Sequence, residues 1–373
     1  MKYYTRSAPS PSYQSLRKSC ADLQCTNDLL CRIVSADCAP KDASWQNCRM
    51  SDHQQWAFIK SVQPKSDETQ FDLARAFDAV VLVRAKIPDD GYTAGTLGTE
   101  RIGYGTVIGE DGLVVTIGYL VNEASGIWLT TNHGAVVPGY PLAYDQATGL
   151  ALVQPLGKLD APHLQRGLAS DVAVGDSVFV IGHGGRAHAL KTRLVAKREF
   201  AGYWEYVLDE ALFTAPVHPQ WGGAALLDAQ GELIAIGSLL VQQEVNGVST
   251  QVNMFVPIDL LNPILDSMLQ TGRSPHPPRP WLGMYTQDPE GNLVVGRLSP
   301  GGPAERAGVR VGDMVLDVDT QRVHGLAEFF RAVWRLGAAG VEVPLTLLRA
   351  GEEFGVRVKS VNRNDLLRKP KLH

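Results

Sequence analysis

The chain has 373 residues, enough for two or three domains and at least one full-sized core. Hydrophobic residues make up 45% and charged residues 20%, a balance that excludes disorder throughout. The 35 basic and 39 acidic side chains give a net charge of −4, so no basic field points to a nucleic-acid partner, and no run approaches the ~18 consecutive apolar residues of a transmembrane segment.

All five cysteines, Cys20, Cys25, Cys31, Cys38 and Cys48, fall in the first 48 residues. Their odd number and spacing match neither a closed disulfide framework nor a zinc or haem motif. Residues 1–49 carry a net charge of +3, leaving −7 for the remainder, and contain no apolar run of signal-peptide length. They read as an appendage, poorly ordered or not native, with Met50 a natural start. A Cys-rich regulatory arm is the functional alternative. Residues 50–70 form a lead-in segment.

From Phe71 to Val256 short β-runs alternate with turn signals. Ala79–Ala85 is rich in β-branched residues; Gly103–Ile108 turns through Glu110-Asp111-Gly112 into Leu113–Thr116. Further runs are Leu150–Val153, Ser177–Ile181 and Leu226–Asp228, which turns through Ala229-Gln230-Gly231 into Leu233–Ile236. Many short strands with regular turns predict an all-β barrel or sandwich. Leu260, Leu261, Ile264, Leu265 and Met268 then recur at helical spacing, predicting one helix from Pro257 to Thr271-Gly272. Residues 274–280, Ser-Pro-His-Pro-Pro-Arg-Pro, predict a semi-rigid linker. Beyond it, strands at 293–295, 314–318 and 343–347 surround a predicted helix from Leu326 to Leu336, and residues 361–373 end in a basic, solvated tail.

Trp281-Leu282-Gly283-Met284, then Ser299-Pro300-Gly301-Gly302-Pro303-Ala304-Glu305-Arg306-Ala307-Gly308-Val309, then Gly312-Asp313-Met314-Val315-Leu316 resemble a PDZ domain of the kind appended to HtrA/Deg-type serine proteases. The resemblance spans residues 281–360 and implies a groove for protein C-termini. Leu282, Gly283 and Met284 would hold the terminal carboxylate, and Leu326, Phe330 and Val333 would line the side-chain pocket. Phe330 reads as groove lining ahead of core, whereas Leu326 and Val333 read equally as either.

Upstream, residues 71–273 resemble the chymotrypsin-like double β-barrel of the same proteases, which implies a mainly β chain ending in a small α+β PDZ domain. Such proteases carry a Ser–His–Asp triad, because a hydroxyl nucleophile needs an imidazole to take its proton and a carboxylate to orient the imidazole. Here the His position reads Thr116-Ile117-Gly118-Tyr119, with Tyr119 in place of the imidazole. The Asp position reads Thr148-Gly149-Leu150-Ala151-Leu152, with Gly149 in place of the carboxylate. The Ser position reads His218-Pro219-Gln220-Trp221-Gly222-Gly223, with Gly222 in place of the nucleophile. The oxyanion hole is in doubt too, since Gln220 and Trp221 stand where the family keeps a small, flexible turn. Trp221 would plug the former cleft or floor a bound peptide.

Substitutes are weak. Thr131-Asn132-His133 imitates the His motif but fits a strand-to-strand turn, Ser238 falls on a strand, and His183, His188 and His218 lack metal-ligand spacing. The expectation is an HtrA-like pseudoprotease with no catalytic residue, metal or cofactor, acting as a peptide-binding adaptor or chaperone-like scaffold. The alternatives are a serine endopeptidase with a non-standard nucleophile and an inactive regulatory subunit of an active relative. Partners would be protein C-termini or unfolded segments. Oligomers would form, as in the family, through the stretch before the barrel, where Trp56, Phe58 and Phe71 lie. The chain shows no export signal and so reads as cytoplasmic, with the cell envelope as the family-based alternative.

Overall fold

The computed structural model describes residues 56–245, 248–288 and 291–369; the five cysteines and Met50 lie outside the described residues. Trp56 and Phe58 are 3% and 2% exposed and meet edge to face, and the Phe71 ring meets Phe179 at 5.6 Å. Trp56 and Phe58 belong to the core of their own chain, and Phe71 packs against it. Helix α1, Leu73–Asp78, follows, its first turn capped by the Asp72 carboxylate on the N–H groups of Ala74 and Arg75.

Six strands then close the first barrel: β1 Val80–Lys86, β2 Glu100–Val107, β3 Val114–Ile117, β4 Gly126–Thr130, β5 Val136–Tyr144 and β6 Leu150–Pro155, in the order β1-β2-β3-β6-β5-β4. Two one-turn helices interrupt it, α2 (Ala94–Leu97) and α3 (Gly118–Val121). The second barrel closes in the order β10-β11-β12-β9-β8-β7, from β7 Ser177–Ile181, β8 Ala189–Gly202, β9 Tyr206–Ala215, β10 Ala225–Leu227, β11 Leu233–Val245 and β12 Val248–Pro257. Closure pairs every strand and leaves no edge to be protected. The turns predicted at Gly112 and Gly231 are present, with φ of +83° and +82° that glycine adopts without a Cβ clash. His133 and Gly134 lie in the turn between β4 and β5.

The helix predicted from Pro257 to Gly272 is broken. A 3-10 turn covers Ile258–Leu261, and helix α4 runs only over Leu265–Thr271. Pro263 between them has no N–H to donate, and its ring opposes a continuous ladder. Gly272, at φ +68°, ends α4 as expected.

The last unit holds β13 (Pro280–Trp281), β14 (Met284–Gln287), β15 (Val294–Leu298), helix α5 (Pro303–Arg306), β16 (Met314–Val318), β17 (Gln321–Arg322), helix α6 (Leu326–Arg335), β18 (Glu342–Arg349), β19 (Glu352–Lys359) and β20 (Val361–Asn362). Its main sheet runs β14-β15-β16-β18-β19, with β17 on β16, and β13 pairs with β20. The proline-rich stretch is not a free tether along its whole length. The Pro278 carbonyl accepts from Ala339 N–H at 2.8 Å, and the Arg279 guanidinium lies 4.0 Å above the Trp334 ring. In the described part of the tail Asp365, Leu366 and Lys369 are exposed, while Arg368 N–H donates to Glu123 Oε1 at 3.0 Å and its guanidinium pairs with Asp90 on the first barrel. Two apolar clusters result, one filling both barrels and one filling the last unit, and the second includes Val207 of β9.

Candidate functional site

Tyr119 sits on α3 just after β3, Gly149 in the turn between β5 and β6, and Gly222 in the loop between β9 and β10. The fold brings the three together. Gly118 N–H donates to the Gly149 carbonyl at 2.7 Å, and a Cβ built on Gly222 would lie 2.9 Å from Tyr119 Oη. The Tyr119 hydroxyl crosses the cleft to donate to the Ser238 carbonyl at 2.8 Å. Gly149 has φ +79°, and Tyr206 Oη would stand 3.3 Å from a Cβ there while donating to the Thr148 carbonyl at 2.5 Å. A half-buried phenol, Tyr119, and a buried one, Tyr206, thus reach between the three positions and border a cavity of about 480 Å³ that Gly149 and Ser238 also line. Burial pushes both well above the ordinary tyrosine value, so neither is a base at neutral pH.

The loop before Gly222 is equally committed. His218 Nδ1 accepts from Gln220 N–H at 3.1 Å, and its Nε2 donates to the His188 carbonyl at 3.0 Å, which settles the tautomer. Gln220 N–H therefore faces the imidazole, and Gly223 N–H donates to the Gly237 carbonyl at 2.8 Å. Burial lowers both His188 and His218 to about 4. Trp221 is half-buried and lines, with Tyr104 and Tyr119, a residual crevice of about 220 Å³.

The other candidates disperse. Ser238 is 5% exposed at a bulge in β11. His133 is on the surface, 3.2 Å from the Asp78 carboxylate. His183 Nε2 lies 3.2 Å from the Thr131 carbonyl, and among the described residues no group of three or more His, Cys, Asp and Glu side chains is placed to hold a metal ion.

In the last unit Gly283 takes φ +74°, and Leu282, Gly283 and Met284 form a cradle of successive amides. The cradle is filled. The carboxyl group of Glu205, from the turn between β8 and β9, accepts from Leu282 N–H at 3.1 Å and 3.3 Å and from Gly283 N–H at 3.1 Å, with Met284 N–H close behind. Glu205 is 7% exposed and itself holds φ +63°, rare outside glycine. Burial pushes its acid up to about 8, against the pull of the amides and the Arg363 charge. Phe330 and Val333 on α6 are each 1% exposed and belong to the same cluster as Val207, while Leu326 is half-buried beside it. Sequence reasoning missed Glu205. Its signal was an acid flanked by aromatic residues, Tyr203-Trp204-Glu205-Tyr206, at a hairpin tip.

Residues 103–236 match the trypsin-like peptidase domain family and residues 294–349 a PDZ domain family. A protein of Halomonas elongata named "Probable periplasmic serine endoprotease DegP-like" is 28% identical over 276 residues, which cover 69% of this chain and 56% of that protein. Serine endoprotease DegS of Haemophilus influenzae is 24% identical over 277 residues, covering 70% of this chain and 77% of DegS. The chain thus spans little more than half of the first of these relatives. A solved structure of a variant of the HtrA-type protease AlgW with a tripeptide aligns at a TM-score of 0.50 with 21% identity, covering 80% of this chain and 97% of that one. The chain is a homologue of the DegP- and DegS-type HtrA proteases, a trypsin-like peptidase domain followed by a C-terminal PDZ domain.

Proposed function

We propose that this homologue is a pseudoprotease, a peptide-binding adaptor or chaperone-like scaffold that works through its PDZ groove. The observation that carries the reading is the contact between Tyr119 and Gly222: the phenol occupies the space a nucleophile on residue 222 would need, and its hydroxyl is committed to the Ser238 carbonyl. No imidazole, carboxylate or hydroxyl nucleophile stands at the three positions that the resemblance to the family assigns to a triad. Losing such a triad lowers turnover by on the order of a million-fold, leaving too little for a working protease. The Gln220 N–H, held by His218, withdraws a donor from the place where an oxyanion would form.

What supports peptide binding is the PDZ cradle, whose successive amides suit a carboxylate and hold that of Glu205 in this structure. The relatives' names include "periplasmic", so the cell envelope replaces the cytoplasm as the proposed compartment. The test is a paired assay on one preparation: unfolded casein with a serine-directed phosphonate probe, and titration of C-terminal peptides. Intact casein, no labelled protein and micromolar peptide binding are expected. Cleavage that survives removal of contaminating proteases and disappears in Ser238→Ala would overturn the reading in favour of a relocated nucleophile.

A further inference from the structure

We propose that the cavity between the inter-barrel cleft and the last unit binds a small organic acid, a carboxylate on an aromatic or branched apolar body, with Arg363 as the carboxylate's partner. The inference goes beyond the peptide-binding reading and does not rest on it. Among the described residues, the cavity wall includes neither Leu282 and Gly283 nor any residue of α6. The volume of about 480 Å³ falls within the ~300–1,000 Å³ usual for small-molecule sites. Residues with little or no side chain leave the room: Gly149 brings none, and Ser238 a short one at the bulge in β11. Tyr92, Tyr119, Tyr144, Trp204, Tyr206 and Tyr285 supply aromatic wall. Three of their hydroxyls are committed, Tyr119 to the Ser238 carbonyl, Tyr206 to the Thr148 carbonyl and Tyr92 to Ser299 Oγ at 2.7 Å. What these residues offer a ligand is ring surface, which suits an apolar body.

The charges on the wall select the ligand's sign. Arg363 follows β20, whose Val361 pairs with Trp281 of β13 and whose Asn362 carbonyl side chain accepts from Asn364 N–H at 3.0 Å, fixing the turn that carries it. Arg363 Nε is buried and has no hydrogen-bond partner, and among the described residues no carboxylate pairs with its guanidinium. A buried N–H left unbonded carries a desolvation cost that an acceptor on a ligand would remove. Arginine presents Nε–H and an Nη–H side by side, a fork that takes a carboxylate through two parallel bonds. Arg297, exposed and 4.1 Å above the Tyr285 ring, adds a second positive charge to the wall. Arg101, the third guanidinium there, is already engaged by the carbonyls of Gly98, Tyr119 and Asn122 and by Thr93 Oγ1. Glu205 is the one carboxyl group on the wall among the described residues, and burial pushes its acid up to about 8, so it carries little negative charge at neutral pH. Aromatic rings alone would also suit an ammonium ligand, but unmatched guanidinium charge beside them repels one and attracts a carboxylate. Tyr119 and Gly149 come from the first barrel and Tyr285, Arg297 and Arg363 from the last unit, so the acid would touch both.

The test is calorimetric titration of the full chain with three probes that share one ring system: 2-naphthylacetate, its primary amide and 2-naphthylethylamine. The acid is expected to bind about ten-fold or more tightly than the amide, the margin of a charge-assisted hydrogen bond, and the amine not to bind. Arg363→Gln should bring the acid down to the level of the amide and leave the amide unchanged. Thr96→Trp, at an exposed position on the cavity wall, should weaken acid and amide alike by about ten-fold, because it fills the space both rings need. Should Arg363→Gln fail to fold, the preference for acid over amide on the unaltered chain and its loss with Thr96→Trp decide together. Absence of binding by the acid would overturn the proposal, as would equal binding of acid and amide or tighter binding of the amine. Acid binding that is untouched by the folded Arg363→Gln variant, or by Thr96→Trp, would place the acid elsewhere and overturn it too.

Discussion

Gly149 holds φ at +79° with the Tyr206 hydroxyl 3.3 Å from where a Cβ would stand, and Gly222 faces the Tyr119 hydroxyl at 2.9 Å. Restoring side chains at these two places meets different obstacles. An aspartate at 149 enters a backbone region that costs a non-glycine residue on the order of 1 kcal/mol, and it brings a charge against a buried phenol. Gly149→Asp is therefore expected to lower stability by about 1–3 kcal/mol, read from urea unfolding. Gly222→Ser requires Tyr119 to give way before its hydroxyl can be presented at all. Phosphonate labelling of that variant should stay at background, and labelling at a steady rate would show that the phenol is less committed than its bond to Ser238 implies. Asp313 makes the contrasting case of a residue held by structure alone. It is 1% exposed and takes Arg349 Nε at 2.6 Å, Arg349 Nη2 at 2.7 Å and Arg310 N–H at 2.8 Å. Asp313→Ala should destabilise the PDZ unit by about 2–3 kcal/mol, discounted for the partial exposure of Arg349.

At the scale of elements, the loop from β9 to β10 owes its shape to His218, whose ring is enclosed by Trp56, Phe58 and Tyr104 and bonded to Gln220 and His188. His188 and His218 fall to about 4 in the folded chain against an ordinary value near 6.5, so the unfolded chain binds more protons between those limits. Their contribution is complete above pH 6.5 and is lost as pH falls through 4, by roughly 3 kcal/mol for each imidazole at most. Chemical denaturation at a series of pH values should show stability dropping below pH 6.5, and His218→Gln should flatten that slope. The strands around this loop were legible in the sequence where burial gave short runs dominated by apolar residues, as in β1, β3, β6 and β7. The β8–β9 hairpin was not, because its outer half alternates charges with half-buried residues and carries no periodic apolar face. The residues at the three positions that the resemblance assigns to a triad could be read directly, since they depend only on motif spacing. Glu205 could not: it lies 77 residues from Leu282, and no local spacing encodes a partner that the tertiary fold delivers.

The two units meet through specific contacts, among them Tyr92 Oη on Ser299 Oγ at 2.7 Å, and their coupling has a thermodynamic consequence. The PDZ core borrows Val207 from the barrel, its cradle is satisfied by Glu205, and Arg331 ties α6 to both strands of the hairpin. On the tail side, Arg368 N–H completes the shell of Glu123, whose carboxylate also accepts from Tyr92 N–H at 2.7 Å and Thr93 N–H at 2.8 Å. A unit held at both ends gains stability from its neighbour in the way a protein gains it from a ligand that binds only the folded form. The barrels and the PDZ unit should accordingly melt together in calorimetry. Cutting one end with Arg331→Ala should separate a lower PDZ transition from a barrel transition that hardly moves. Cutting both ends, with Arg331→Ala and Glu123→Gln combined, should widen the gap, because the two contacts lie on different elements and their effects add. A single unshifted transition in the double variant would mean that the two units are fused by packing rather than clasped at two points.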